Sequence, residues 1–239
     1  MKNRSVLPWR TLARSPFHAA LAALLCIPFS ATAALPLLPG TGIRPAQSQA
    51  AGQDVAQMTA WIRATRNHHG QPFAIIDKKA AMLHVFDAGG TPRGSSPVLL
   101  GLAVGDDSVP GIGQRKMADI KPGERTTPAG RFASEPGANL QGEDIVWIDY
   151  DAAVSMHRVR ASNKADRRLE RLATPTADDN RISYGCVNVP AAFYDAQIKP
   201  VFGVKPAVVY VLPETRSTRA VFNISGLALP HQQAPVSVS

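Results

Sequence analysis

The sequence is poor in cysteine, with only Cys26 and Cys186 among its 239 residues. Cys26 falls in an apolar stretch near the N-terminus that has the features of an export signal, so the exported chain would keep Cys186 alone. A single thiol cannot form an internal disulfide, which excludes a disulfide-stabilised fold. In an exported protein, Cys186 is then either a free reactive group or an inert core residue.

Long apolar runs are also scarce. The longest, from Ala19 to Phe29, is interrupted by Pro28 and is shorter than the roughly 20 residues that a membrane-spanning helix needs. No acidic residue precedes it, and the basic residues that do are Lys2, Arg4, Arg10 and Arg14. Because small residues follow at Ala31-Thr32-Ala33, the pattern predicts a signal peptide over residues 1–33. We therefore expect export to the periplasm or cell envelope and no stable membrane span after cleavage; a membrane anchor is the weaker alternative.

Acidic residues are outnumbered by basic ones, 18 against 26, and removal of the signal would leave a net charge of +4. This modest excess suits an anionic cell wall. No basic cluster with interleaved aromatic residues is present, so nucleic acid is not an expected partner. The histidines at 68, 69, 84 and 231 lack the spacing of metal ligands and there is no cysteine pair, so we expect neither a metal nor another cofactor.

Proline and glycine are plentiful, with 20 and 18 residues spread among short apolar runs. This composition is typical of a turn-rich, mainly β fold. Residues 34–71 are predicted to hold a linker (34–52) and a helix, residues 72–212 the main domain, and residues 213–239 a tail. There is no internal repeat.

The order of patterns predicts the individual elements. The N-terminal helix should begin at Asp54, and its buried face should hold Val55, Met58 and Ile62. Strands are predicted over 73–76, 82–86, 97–104, 131–134, 145–150, 153–159 and 207–212, with an edge strand at 220–224. Further helices are predicted over 162–173, started by Ser162, and from Pro190 through Ile198.

Cys186 lies in the run Ser183-Tyr184-Gly185-Cys186-Val187-Asn188. A thiol of ordinary acidity is only a few per cent ionised at neutral pH, so a catalytic cysteine needs an activator. The sequence offers His157, at the end of an apolar strand, as a general base, and the helix N-terminus expected at Pro190 as a source of positive potential. Taken singly, Cys186 is more simply a buried structural thiol and His157 a satisfied core histidine, but their combination with this turn favours catalysis.

Backbone groups of the same turn suggest a site for a developing oxyanion. Gly185 allows the chain to turn sharply and to approach a substrate closely. The N–H groups of Tyr184, Gly185 and Cys186 are therefore candidates for an oxyanion hole.

Three segments carry a resemblance to a known family. The cysteine run, with Met156-His157-Arg158 upstream, is similar to the signature of the L,D-transpeptidase catalytic (YkuD-type) domain. Ile75 to Phe86 is similar to the opening hairpin of that family, and Thr126 to Phe132 to its Thr-Pro-x-Gly-x-Phe segment. The resemblance covers about residues 72–212.

The resemblance implies a β-sandwich-like domain with a few short helices. It also implies an enzyme that cleaves a peptidoglycan stem peptide before its terminal D-alanine and transfers the acyl group to an amine. The partners would be peptidoglycan stem peptides, with an envelope protein as an alternative amine acceptor. No metal or nucleotide is needed.

Carried over by position, the resemblance also assigns roles. Cys186 would be the nucleophile and His157 the general base. The backbone carbonyl of Arg158 would orient the imidazole, and Ser183 and Asn188 would shape the substrate pocket.

The chain departs from the family pattern at three places. Tyr184 stands where the family usually has histidine, and Arg158 where a small residue is common. The spacing from His157 to Cys186 is longer than usual, so that residues 160–180 are either a cap over the cleft or an ordinary surface excursion.

Alternatives remain open at this point. With water as the acceptor, the same site would make an L,D-carboxypeptidase. With Tyr184 incompatible with catalysis, the domain would be a non-catalytic wall-binding module. Two other families of cysteine enzymes fit less well. Papain-like peptidases place the cysteine before the histidine in the sequence, and sortases place the cysteine at the end of a strand with the sequence Thr-Leu-x-Thr-Cys.

Overall fold

The computed structural model describes residues 46–224, with side chains described from residue 52 onward. The predicted signal peptide over 1–33, the first part of the linker and residues 225–239 of the tail lie outside the described residues and stay predictions. Within residues 46–224, no helix is long and apolar enough to cross a membrane.

Strands dominate the described chain. They are β1 (Phe73–Asp77), β2 (Met82–Phe86), β3 (Pro92–Pro97), β4 (Leu100–Gly101), β5 (Gly130–Ala138), β6 (Asp144–Asp149), β7 (Val154–Arg158), β8 (Arg181–Ser183), β9 (Val187–Val189) and β10 (Ala207–Val211). Eight of them form one sheet in the order β3-β2-β1-β10-β5-β6-β7-β9, and β4 and β8 form a separate parallel pair. The prediction of a mainly β fold is confirmed.

Helices are few. They are α1 (Ala46–Thr65), α2 (Arg168–Ala173), α3 (Ala191–Phe193), α4 (Lys199–Phe202) and α5 (Thr218–Phe222). A π-helical turn, Tyr194–Ile198, joins α3 to α4, so that one continuous helical segment runs from 191 to 202. Short 3-10 turns occupy much of the loop between β4 and β5.

The main core lies between the two halves of the large sheet. It combines Ala74, Leu83 and Val209 from one half with Val146 and Met156 from the other. The helical segment 191–202 fills this core with three fully buried side chains, those of Tyr194, Ile198 and Phe202. This packing of two sheet halves on one core matches the β-sandwich-like arrangement expected from the sequence.

A second core covers the outer face of the first half. Met58 and Ile62 of α1 pack there with Phe222 of α5 against Phe73 and Tyr210. Strand β1 therefore contributes to both cores and is buried along its whole length, which explains why its sequence is a continuous apolar run rather than an alternating one.

The N-terminal helix is longer than predicted. It begins at Ala46 instead of Asp54, so residues 46–52, assigned to a linker, are helical. The Ala- and Gln-rich composition that suggested a linker also has high helix propensity. Asp54 is not a cap, and its carboxylate pairs with the Lys79 ammonium at 2.9 Å. The predicted apolar face is correct, because Met58 and Ile62 are fully buried.

Two strand predictions are wrong. The apolar run 97–104 holds only the two-residue β4, and the strand before it, β3, is a polar edge strand paired with β2. The Val98 N–H donates instead to the Ala81 carbonyl oxygen, and Leu99 exchanges two backbone hydrogen bonds with Asn188 in an isolated bridge. At 220–224 the chain forms α5 rather than a strand, because Ser217 Oγ accepts a hydrogen bond from the Ala220 N–H and caps the helix.

The helix predicted over 162–173 starts later. Asn163, not Ser162, caps a 3-10 turn at Lys164–Asp166, and Arg167 then adopts a left-handed conformation with φ 50°. This residue separates the turn from α2. The helix predicted from Pro190 forms as expected and extends to Phe202.

A buried ionic cluster, which the sequence patterns did not reveal, holds the hairpin turn after β1. The fully buried Lys78 ammonium donates to Asp106 at 2.8 Å and to the carbonyl oxygens of Gly105 and Thr127 at 2.5 and 2.9 Å. The Asp106 carboxylate also accepts from backbone N–H groups of residues 214–216. Residues 214–216, assigned to the tail, are thereby fixed to the main domain.

Candidate active site

Cys186 lies in the short turn between β8 and β9, and its side chain is half-buried. Strand β9 runs parallel to β7, with Asn188 opposite His157 in the register. Because alternate residues of a strand share a face, Cys186 and Asn188 lie on the same side of the sheet as Ser155 and His157. The Ser155 hydroxyl is 3.7 Å from the Cys186 sulfur.

The structure brings His157 and Cys186 together, although they are far apart in sequence. His157 Nδ1 is 2.8 Å from the Arg158 carbonyl oxygen. A carbonyl only accepts, so Nδ1 carries the hydrogen and the neutral ring presents its lone pair at Nε2. The Asn188 amide N–H donates to Nε2 at 3.2 Å, and the Cys186 thiol lies close enough to the imidazole for each group to shift the pKa of the other. This is the tautomer that a general base toward Cys186 requires.

Electrostatics couples the two groups. Burial alone raises the pKa of Cys186, but hydrogen bonding to His157, the charge of the imidazole and the contacts with Ser155 outweigh burial and lower the pKa below the ordinary thiol value. Burial alone lowers the pKa of His157. The interaction with Cys186 and the hydrogen bond to the Arg158 carbonyl oxygen outweigh burial and raise this pKa above the ordinary value. Each group therefore stabilises the charged form of the other, which favours a reactive thiolate.

Gly185 makes the cysteine turn possible for two independent reasons. Its φ is +129°, a backbone conformation that residues with a side chain rarely adopt. In addition, a Cβ atom at this position would lie 2.7 Å from the carbonyl oxygen of Thr126. The expected sharp turn agrees with this geometry. The close approach that the structure shows is to the Thr126 backbone, and the expected close approach to a substrate stays a prediction.

Ser183 lies inside the turn rather than on the surface of a substrate pocket. Its hydroxyl donates to the Cys186 carbonyl oxygen at 2.6 Å and accepts from the Gly185 N–H at 3.1 Å. The residue is buried, so the expected role in shaping the pocket is replaced by a role in holding the turn. The Gly185 N–H is thereby taken out of the expected oxyanion hole. Among the hydrogen bonds of the described residues, none uses the N–H of Tyr184 or Cys186.

Thr127 braces the turn from the other side, a role that the sequence did not assign. Its hydroxyl donates to the Gly185 carbonyl oxygen at 2.8 Å and accepts from the Gly101 N–H at 2.9 Å. Its own carbonyl oxygen accepts from the buried Lys78 ammonium. The three segments that carry the family resemblance, namely the hairpin, the Thr-Thr-Pro segment and the cysteine turn, are therefore joined by a chain of buried hydrogen bonds.

The two departures next to the reacting pair have distinct surroundings. The Tyr184 ring lies under the Arg125 guanidinium, whose carbon is 3.9 Å from the ring centroid. The Arg158 guanidinium points away from Cys186 and binds the carboxylates of Asp144 and Asp195 while lying over the Tyr194 ring. The Arg158 side chain thus fixes the residue whose carbonyl oxygen holds His157.

Asn188 is almost fully buried and links His157 to the 160–180 segment. Its amide oxygen accepts from Arg168 Nη1 at 2.5 Å, and this contact turns the amide nitrogen toward the imidazole. Asn188 therefore positions His157 instead of lining the pocket as expected. The segment is also anchored at its far end, where the buried Asn180 donates to the Val98 carbonyl oxygen at 2.9 Å.

The helix predicted from Pro190 is present, but its N-terminus does not lie beside the Cys186 thiol. Strand β9 separates Cys186 from the first helical residue, Ala191, and four extended residues span roughly 13 Å. The helix dipole acts only within about one turn, so it does not activate this cysteine. The lowered pKa of Cys186 comes from His157, with a contribution from Ser155.

No group of three or more metal-ligating side chains occurs among residues 52–224. The second half of the 160–180 segment lines a separate cavity of about 640 Å³ that also touches Lys79, Arg181 and Glu214.

Comparisons with known proteins give weak structural likenesses. No family model and no curated protein matches the chain. Among solved structures, the chain is similar to the helical cell shape determining protein Pgp2 from Campylobacter jejuni, at 14% identity and a TM-score of 0.41, covering 62% of this chain and 49% of that one. A K307A mutant of Pgp2 matches at 16% identity and a TM-score of 0.39, with 62% of this chain and 48% of that one covered.

A third similar structure is the LD transpeptidase LdtMt1 in complex with imipenem, at 15% identity and a TM-score of 0.32, with 59% of this chain and 58% of that one covered. The chain thus spans about half the length of these proteins. At such identities and TM-scores the likeness says nothing about activity, which depends on the side chains of the site.

Proposed function

We propose that this protein is an L,D-transpeptidase of the cell envelope that uses Cys186 as its nucleophile and His157 as its base. The observation that carries the proposal is the coupling of these two side chains in a half-buried position, with the imidazole held by the Arg158 carbonyl oxygen and by Asn188. The sequence resemblance supplies the substrate class.

The first step forms an acyl-enzyme. The Cys186 sulfur attacks the carbonyl carbon between the diamino acid's L-centre and the terminal D-alanine of a stem peptide, and His157 accepts the thiol proton. The carbonyl oxygen gains negative charge, for which the N–H groups of Cys186 and Tyr184 are the available donors. The C–N bond then breaks, His157 returns the proton to the leaving amine, and D-alanine departs.

The second step transfers the acyl group. An amine of a second stem attacks the thioester carbonyl carbon, His157 removes its proton, and the C–S bond breaks to restore the thiolate. The product is a crosslink between two stems. If water attacks instead, the product is a shortened stem and the enzyme is an L,D-carboxypeptidase.

Tyr184 is the residue that suggests the non-catalytic alternative. A change of side chain at this position leaves the backbone N–H in place, and the ring packs under Arg125 without a hydrogen bond to His157. The nucleophile, the base and the N–H donors of the first step are therefore all retained. We therefore favour an enzyme over a wall-binding module.

A carbapenem tests this proposal without knowledge of the natural acceptor. Attack of the thiolate on the strained lactam opens the ring, so the intact mass of the protein should increase by the full mass of the drug. The adduct should be absent in Cys186→Ala. An unmodified wild-type protein under reducing conditions, with native circular dichroism, would contradict the proposed acyl transfer.

A further inference from the structure

Arg168 is connected to His157 through Asn188. Its Nη1 donates to Asn188 at 2.5 Å, and Asn188 contacts His157 Nε2 at 3.2 Å. Allowing for the width of an amide group, the guanidinium lies within roughly 8 Å of Nε2. Arg168 belongs to α2, in the 160–180 segment that distinguishes this chain from the family pattern.

The guanidinium is only partly used by the protein. Of its five N–H groups, one donates to Asp166 at 2.9 Å and one to Asn188, and the others have no partner among residues 52–224. The side chain is 20% exposed, so part of it remains accessible to a ligand. Asp166 and Asn188 hold the planar group in place, which lowers the entropic cost of binding a second acceptor.

We propose that Arg168 binds the terminal carboxylate of the donor stem peptide. This inference rests on the proposed function, because that function places a D-alanine carboxylate on the leaving side of the attacked bond. The carboxylate carbon is roughly 4 Å from the attacked carbonyl carbon, which must itself lie about 3–3.5 Å from the sulfur. A guanidinium within roughly 8 Å of His157 Nε2 is within reach of such a carboxylate and can bind it through two parallel hydrogen bonds.

Other cations in this region fit this role less well. The charge of Arg160 acts on His157, but the Arg160 guanidinium binds Glu143 and Gln141. Arg125 lies over the Tyr184 ring and donates to the Ile120 carbonyl oxygen, and no contact links it to His157. Arg167, next to Arg168, is 69% exposed and pairs with Glu170. It offers a matched control, since it carries the same charge on the same segment without touching Asn188.

The test measures affinity, so that it does not depend on turnover. In Cys186→Ala, calorimetry should show a tetrapeptide stem ending in D-alanine binding about 10- to 100-fold more tightly than the same peptide ending in D-alaninamide. Adding Arg168→Gln should reduce this ratio to less than about 3, whereas adding Arg167→Gln should preserve it. Arg168→Lys keeps the charge but loses the paired N–H donors of the guanidinium, so it should give an intermediate ratio. This variant replaces Arg168→Gln in the test if the Gln variant does not fold.

Two results would overturn the carboxylate site. One is equal affinity, or no detectable affinity, for the two peptides when Arg168 is intact; the other is a ratio that survives both Arg168 substitutions. Failure of the proposed function gives a different result, because the wild-type protein would then form no acyl-enzyme with a carbapenem even if the peptide ratio depended on Arg168.

Discussion

The Thr127 hydroxyl donates a hydrogen bond to the carbonyl oxygen of Gly185 at 2.8 Å, joining two segments that are 58 residues apart. The same hydroxyl accepts from the Gly101 N–H, and both contacts are buried. This side chain therefore sets the position of the residue immediately before the proposed nucleophile.

We predict that Thr127→Val lowers both stability and activity. Valine keeps the shape but leaves the Gly101 N–H and the Gly185 carbonyl oxygen without a partner, which should reduce the free energy of unfolding by about 2–4 kcal/mol. Turnover at a temperature where the variant is folded should also fall. Thr127→Ser keeps the hydroxyl and should retain most activity; equal losses in Ser and Val would show that packing, not the hydrogen bonds, matters.

We predict that Gly185→Ala distorts the cysteine turn. The added Cβ would meet the Thr126 carbonyl oxygen, and the φ of +129° is unfavourable for alanine, so we expect a loss of about 2–4 kcal/mol in urea unfolding together with loss of acylation. Gly142 has a φ of +78°, and no neighbouring atom lies within 4 Å of the position that a Cβ would take there, so Gly142→Ala isolates the backbone cost. Similar effects of the two substitutions would argue against the close contact at Gly185.

We predict that His157 controls the acidity of Cys186. Because the imidazole lowers the pKa of the thiol, the rate of alkylation by iodoacetamide should rise with pH through an inflection below the ordinary thiol value of about 8.5. In His157→Ala the effect of burial remains and the partner is gone, so the inflection should move to or above the ordinary value. The melting temperature should change little. An unchanged inflection would show that the two groups do not interact.

We predict that the Lys78 and Asp106 pair makes stability sensitive to acid. Burial raises the pKa of Asp106, but hydrogen bonds from Lys78, Thr215 and the Glu214 N–H outweigh it and hold the pKa well below its usual range. The pair therefore contributes fully above the unfolded value of about 3.9, and this contribution is lost as pH falls through the lower pKa of the folded state.

Unfolding in urea at pH 6, 4 and 3 measures this contribution. Lys78→Met should cost about 3–5 kcal/mol at pH 6 because it leaves a buried carboxylate without its partner, and its stability should depend less on pH below 4 than that of the wild type. Lys79→Met, which removes an exposed ion pair, should cost less than about 1 kcal/mol. Equal costs for the two lysines would contradict the account of the buried cluster.

Local pattern was enough to predict much of the sheet and the strand that carries His157, but not the two short strands on either side of Cys186. Strands β1, β2, β6 and β7 lie close to their predicted bounds, because apolar runs between turn residues determine them. The polar edge strand β3 was not predicted, because its pairing with β2, and not its own composition, makes it a strand. The short strand β9 was missed because its residues were assigned to the turn that carries Cys186.

The supporting residues of the site depend on tertiary contacts and were mostly missed. Ser155 could have been predicted from the sequence, since it lies two residues before His157 and therefore on the same face of the strand. Arg168 and Lys78 could not have been predicted, because nothing in the local sequence distinguishes them from solvent-exposed basic residues. Ser183 and Asn188 were singled out by the resemblance, but burial gives them positioning roles that a motif alone does not reveal.

Trapping the acyl-enzyme tests the central claim most directly. The wild-type protein, mixed with a tetrapeptide stem and quenched in acid, should gain the mass of the stem less D-alanine, and proteolysis should place the group on Cys186 as a thioester cleavable by hydroxylamine. Cys186→Ala should gain nothing, and His157→Ala should accumulate the adduct far more slowly. A wild-type protein that releases D-alanine without a covalent intermediate, or an adduct that persists in Cys186→Ala, would contradict the assignment of Cys186 as the nucleophile.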